Sequence, residues 1–264
     1  MTMTKRINAG IAAGPRDFWP CRIPLHDLNL PAPGEAHVWY LDLDGLGRSL
    51  QGALGSESES GGSLSFTAGQ LLFARRFYLR LLLGAYLGLP GKAVQINRKN
   101  RGKPVLDKAV HDSDLHFSIA KSEDKLLIGF CTSSYLGVDL EPAGREARDP
   151  MGVARRYFSP AEATALEAIA PQDRDAAFLR AWACKEAVVK ASGLGIANQF
   201  CRFTVDMEIS QPAAVLDIEG EEARRWSLAL VQPDKEYLGA IASHDPVMKI
   251  RGFRMLPAAH STVS

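Results

Sequence analysis

Three groups of residues in this chain have side chains and spacings suited to chemistry on an anion. In "LGVDLEP", Leu136 to Pro142, period-two alternation sends Gly137, Asp139 and Glu141 to one face of a strand and Leu136, Val138 and Leu140 to the other. Two carboxylates on one face repel unless a cation lies between them, and a hard divalent ion such as Mg²⁺ commonly takes one or two carboxylates plus phosphate oxygens. Taken alone, an edge strand with its polar face in water accounts for the same alternation. In "WACKEAVVK", Trp182 to Lys190, Glu186 and Lys190 sit one turn apart on a helix that is apolar nearly all round, flanked by Leu179, Trp182 and Ala183. An exposed Glu to Lys pair at this spacing is worth roughly 0.2 to 0.5 kcal/mol, but this helix has hardly any polar face on which to place it. Buried charges need partners or a metal. Third, "NRKNRGKP" crowds Arg98, Lys99, Arg101 and Lys103 around a turn that Gly102 and Pro104 hold open, which is either a ready anion site or solvated surface. Lys121 in "FSIAKSED" adds a further cation with the same two readings.

Other chemistries lose ground. There is no HExxH, no GxSxG elbow and no strand followed by GxGxxG, and the six histidines are scattered without ligand spacing. Gly193 and Gly195 in "SGLGI" follow a helix, where a left-handed C-cap is the simpler explanation. The four cysteines, Cys21, Cys131, Cys184 and Cys201, form no CxxC and read as reduced thiols.

The elements that must position these groups can be outlined from pattern. "HVWYLDLDGL" alternates as a strand, and "SLQGALGSESESGGSLSF" reads as a Gly/Ser/Glu loop without the lysine of a phosphate cradle. From Thr67, a plausible cap, a helix runs toward Gly88 and is closed by Pro90. After the basic turn come strands at "LHFSIAKS" and "KLLIGFCTS", then the carboxylate strand. Ser159, Pro160 and Glu162 in "FSPAEATAL" make a capping box that opens a second helical region. Strands at "RFTVDM", "WSLALVQ" and "YLGAIASH" follow. Each half thus runs from helix to strands, which predicts an α+β fold of two similar lobes, 1–133 and 134–264, with the site in the cleft between them.

Composition sets the remaining bounds. Hydrophobic residues at 46% and charged residues at 23% are ordinary globular values, and 31 Lys plus Arg against 30 Asp plus Glu leave a net charge of +1. That balance offers no bulk field for nucleic acid or an anionic membrane, so any anion site must be local. The opening segment lacks a signal-peptide core, and the most apolar later run is broken by Arg75, Arg76 and Arg80, so a cytoplasmic protein is expected.

Read together, "GVDLEP" and, some forty residues later, "WACKEAVVKASG" resemble the paired signature of the 4′-phosphopantetheinyl transferases of the two-lobed surfactin-synthetase-activating type. "RGKPVL", "HFSIAKS" and "YFSPAEATAL" are further similarities, so that the likeness spans about Ala74 to Gly195. The resemblance implies transfer of the phosphopantetheine arm of coenzyme A to a serine of an acyl or peptidyl carrier protein, with release of adenosine 3′,5′-bisphosphate. It implies Mg²⁺ on Asp139, Glu141 and Glu186, with Glu186 also taking the serine proton and Lys190 on the pyrophosphate. By the same likeness Arg98, Lys99, Arg101, Gly102, Lys103 and Pro104 of the turn, with Ser118, Ile119, Ala120 and Lys121 of the following strand, would hold coenzyme A. Lys121 and Ala120 stand where the family usually has histidine and serine, which predicts an altered grip on the nucleotide, and Gln70 stands where an arginine is common. A monomer is expected, with the carrier recognised by a small patch around Ala154 to Phe158. Two other classes remain open: another Mg²⁺-dependent enzyme on a nucleotide diphosphate, or a non-catalytic module binding coenzyme A or a carrier.

Overall fold

Alternation and capping decide most of the architecture. The computed structural model describes residues 18–53, 66–98, 102–133, 135–193, 199–246 and 248–258. Strands β1 (Trp19–Arg22), β2 (Glu35–Asp42), β5 (His116–Ser122), β6 (Lys125–Cys131) and β12 (Lys249–Leu256) form a five-stranded sheet in the order β1-β12-β2-β6-β5. Strand β12 runs parallel to both of its neighbours, whereas β2, β6 and β5 pair antiparallel. A second sheet holds β7 (Leu136–Pro142), β11 (Tyr237–Ser243) and β10 (Ser227–Asp234), all antiparallel. Two short pairs complete the strands: β3 (Ile96–Arg98) with β4 (Pro104–Leu106), and β8 (Phe203–Val205) with β9 (Val215–Ile218).

The helices are α1 (Leu43–Ala53), α2 (Ala68–Leu87), α3 (Pro150–Tyr157), α4 (Pro160–Ala168) and α5 (Pro171–Ser192). Helix α2 starts and stops where its sequence says. Thr67 forms a capping box with Gln70, and Gly88 takes the left-handed conformation at φ 64° that closes the last turn. Ser159 and Glu162 make the second capping box, ahead of Pro160 at the first position of α4. One strand expectation is corrected. "HVWYLDLDGL" stays extended only to Asp42, and its last four residues open α1, because the Asp42 carboxylate accepts a bond from Gly45 N at 3.0 Å as a helix cap does. Ser49–Ala53 of the expected loop are likewise helical, and Leu54–Ser65 lie outside the described residues.

The layers follow from which face each strand buries. Trp39, Leu41, Ile128 and Phe130 of the first sheet pack with Leu82, Leu83 and Tyr86 of α2. The opposite face gives Val38, Tyr40 and Leu127 to a core shared with Val138, Leu140 and Ile241 of the second sheet. Leu238, Ala240 and Ala242 on the far side of the second sheet meet α5. Helix, sheet, sheet and helix therefore stack in order, and each large side chain fully buried in these seams contributes about 1.5 to 3 kcal/mol. The connection between β6 and β7 contains the expected division of the chain, whose residue Ser134 is not described, and the last strand returns to the first sheet. Among the described residues, no helix is long and apolar enough to cross a membrane.

Candidate active site

Gly137 sets the geometry of the carboxylates. A Cβ there would stand 1.9 Å from the Ala187 carbonyl oxygen and 2.4 Å from the Ala191 nitrogen, so only glycine lets β7 lie directly on α5. Asp139 and Glu141 follow Gly137 on the same face, and Glu186 and Lys190 lie on the helix face that Ala187 and Ala191 share. The polar face of β7 is covered by helix: every residue from Leu136 to Glu141 is buried, although β7 is an edge strand of its sheet. The water-facing alternative is thereby overturned, since α5 occupies the place of solvent.

Cations hold two of the three carboxylates. Lys190 Nζ donates to Asp139 Oδ1 at 2.6 Å and lies 4.0 Å from Glu186 Oε2. Arg145 Nη1 donates to Glu141 Oε2 at 2.6 Å. The second oxygen of Asp139 is buried and accepts no hydrogen bond. Burial pushes the Asp139 and Glu141 carboxyls above the usual carboxylate range, against the pull of Lys190 and Arg145. Glu186 is pushed up to about 7, chiefly by burial, with Asp139 and Glu141 adding to the rise and Lys190 opposing it.

An unsatisfied buried oxygen beside two further carboxylates is a donor set that suits a hard divalent ion. Among the described residues, no group of three His, Cys, Asp or Glu side chains is gathered tightly enough to hold a metal as it stands. The ion pairs account for this, because each carboxylate of β7 is turned toward its own cation.

The basic turn lies at the other end of β7. Its strands pair Arg98 with Pro104, Gly102 sits at φ 84°, and Lys99 and Arg101 lie outside the described residues. Arg98 Nη1 donates to Gly102 O at 3.0 Å, closing the turn on itself. Lys103 Nζ donates to Lys190 O at 2.6 Å and to Leu136 O at 3.2 Å, tying the turn to the last turn of α5 and the start of β7. A cavity of about 730 Å³ opens beside it, lined among others by Arg98, Lys103, Lys108, His116 and Tyr135.

The strand residues expected with this turn are divided by the pleat. Ser118 Oγ is buried and accepts from Val138 N at 3.1 Å, joining the two sheets, and Ala120 is in the core between them. Ile119 packs on the opposite face, and Lys121 is exposed at the far end of β5. None of these four lines the 730 Å³ cavity. Asp139, Glu141, Glu186 and Lys190 are thus brought together; of the described residues expected to hold coenzyme A, Arg98 and Lys103 line the cavity, whereas Ser118, Ile119, Ala120 and Lys121 do not. Arg145 was missed by sequence reasoning, although its position four residues beyond Glu141 was the available signal.

Comparison with known proteins bears on this cluster directly. Residues 135–242 match the model of the 4′-phosphopantetheinyl transferase superfamily, and that segment contains all four of the gathered residues and Arg145. The chain is 29% identical to the 4′-phosphopantetheinyl transferase HetI of a Nostoc species, over 79% of this chain and 87% of that protein. The chain is thus similar to the 4′-phosphopantetheinyl transferases. A rat L-aminoadipate-semialdehyde dehydrogenase-phosphopantetheinyl transferase is 25% identical over 82% of this chain and 72% of its own length. The 4′-phosphopantetheinyl transferase of Bacillus subtilis is 26% identical over 65% and 79%. Similarity to these transferases supports an enzyme, as the resemblance implied. The mixed α/β fold agrees with it.

Proposed function

We propose that the chain moves the 4′-phosphopantetheine arm of coenzyme A onto a serine hydroxyl of an acyl or peptidyl carrier protein. In the balanced step the serine Oγ bonds to the phosphorus that bears pantetheine. The bridging P–O bond breaks, adenosine 3′,5′-bisphosphate leaves, and the serine proton passes to Glu186. The observation that carries the reading is the raised, partly unsatisfied carboxylate cluster against Lys190, inside the segment that matches the superfamily.

Displacement at phosphorus asks a protein mainly for positioning and charge neutralisation. Asp139, Glu141 and Glu186 would hold Mg²⁺. Bound there, the ion supplies positive charge against the pyrophosphate oxygens. In the metal-free chain burial raises the Glu186 carboxyl to about 7, and a bound divalent ion would draw it back toward the carboxylate form that can accept a proton. Lys190 orients Asp139 and adds a point charge for the leaving phosphate. Arg98 and the cavity beside the basic turn suit the nucleotide end of coenzyme A, and exposed Lys121 is a further candidate for its phosphate.

Intact-mass spectrometry of apo acyl and peptidyl carriers, incubated with coenzyme A, Mg²⁺ and this protein, tests the reading. The expected result is a gain of one phosphopantetheine unit, lost without Mg²⁺ and lost with Glu186→Gln. A folded protein that modifies none of a broad carrier panel counts against it. A Glu186→Gln variant with unchanged activity would remove Glu186 from the chemistry.

A further inference from the structure

Arg145 is not a chance surface contact. Its backbone is fixed by a turn in which Arg145 N donates to Pro142 O at 3.0 Å, and the turn is anchored where Ala143 N donates to Glu236 O at 2.7 Å. From that anchored position the side chain reaches back to Glu141 Oε2 while remaining about half exposed, at 51%. Lys190, by contrast, is 29% exposed and lies between two carboxylates, Asp139 and Glu186. The two cations therefore divide the cluster: one is held inside it, and the other sits at its rim with a single partner.

The charges show what the rim cation does. Three carboxylates against Lys190 and Arg145 leave one formal negative charge, and a divalent ion would reverse that sign. If Glu141 exchanges its guanidinium bond for the ion as the three carboxylates converge, it turns toward Asp139 and Glu186. The anchored turn then leaves Arg145 beside the site with a free planar fork of donors, a geometry that matches phosphate oxygens.

We propose that Arg145 occupies Glu141 while no metal is bound and passes to the pyrophosphate of the incoming nucleotide when a divalent ion takes that carboxylate. This rests on the transferase reading for the identity of the anion. It makes Arg145 a competitor of the metal and a partner of the substrate, so its removal acts on the two ligands with opposite sign. A residue that only braced the loop would weaken both or neither.

The experiment titrates Mn²⁺ into the full chain, reading the free ion by its electron paramagnetic resonance signal, and titrates coenzyme A calorimetrically with Mg²⁺ present. It compares wild type with Arg145→Gln and Arg145→Lys, each checked for fold by circular dichroism. In Arg145→Gln, Mn²⁺ affinity without coenzyme A is expected to rise about tenfold, since a unit charge a few ångströms from the ion is removed. Coenzyme A affinity in the presence of metal is expected to fall about tenfold. Arg145→Lys, which keeps the charge but not the fork, is expected to leave Mn²⁺ affinity near wild type and to weaken coenzyme A. Unchanged or weakened Mn²⁺ binding in Arg145→Gln, or unchanged coenzyme A binding, overturns the handover alone. A wild type that binds Mn²⁺ but no coenzyme A overturns the transferase reading and the handover with it.

Discussion

Helix α5 carries two neighbouring charged residues, Lys185 and Glu186, whose surroundings are opposite in kind. Lys185 Nζ donates to both oxygens of Glu162 and to Phe203 O, each at 2.7 Å, and both side chains are fully buried. Glu162 also accepts from Ser159 N and Val205 N, both at 2.8 Å, and the Phe203 ring lies 4.1 Å from the ammonium. Every polar atom of that pair is satisfied, and it joins α4, α5 and β8. One residue on, Glu186 faces other carboxylates, with an unsatisfied Asp139 oxygen nearby and its lysine 4.0 Å away. A closed network builds structure, whereas an open one retains capacity for a ligand. The same helix does both because successive residues point about 100° apart.

The largest test of that contrast is Glu186→Gln. Removing a general base is expected to slow transfer by about two to four orders of magnitude, with the fold intact by circular dichroism. Next in size is Lys185→Met. It strands the Glu162 carboxylate in the core and should cost about 3 to 5 kcal/mol in denaturant unfolding. The double change of Lys185 and Glu162 to methionine should recover much of that loss, and a double variant as unstable as the single one would show that the pair contributes more than charge balance.

A smaller effect follows from pH. Glu186 moves from 4.5 to about 7 on folding. At pH below 4.5 the carboxyl is protonated in folded and unfolded chains alike, and its burial has no pH-linked cost. As pH rises from 4.5 toward 7 the unfolded chain releases a proton that the folded chain keeps, so stability falls, and above 7 the cost is complete. That cost is on the order of 3 kcal/mol. Glu186→Gln should therefore melt higher than wild type at pH 8 and the same at pH 4, and equal melting at both values would contradict the shift. Saturating Mg²⁺ should raise the wild-type melting temperature at pH 8 and do less for the variant. Smallest of all is the exposed Arg155 to Glu167 pair, at 2.8 Å with both side chains 61% exposed. Arg155→Ala should cost at most about 0.5 kcal/mol.

What the sequence made legible was local. The caps at Thr67 and Ser159, the glycine that ends α2 and the single face shared by Gly137, Asp139 and Glu141 were all visible, because each depends on residues within four positions. The partner of Lys190 was not, since Asp139 lies 51 residues away and the helical spacing pointed instead to Glu186. The bonds of Lys103 were hidden for a related reason. A lysine in a basic turn looks available to an anion, and only the folded chain brings the carbonyls of Lys190 and Leu136 to its ammonium. The covering of β7 by α5 was equally hidden, because alternation gives a strand its two faces without saying what lies against either.

The place of β12 governs the order in which the molecule can be completed. This strand lies between β1 and β2 and is paired with both, yet it is made more than 200 residues after β2. During synthesis the first sheet therefore waits, with the flank of β2 unpaired and β1 without a neighbour, until the last strand leaves the ribosome. Such late, sequence-distant pairing slows folding and prolongs the exposure of a hydrophobic edge. Shortening the chain before Lys249 would make that temporary edge permanent, and the product should be recovered as aggregate, with the carboxylate cluster lost although every residue that forms it is still present.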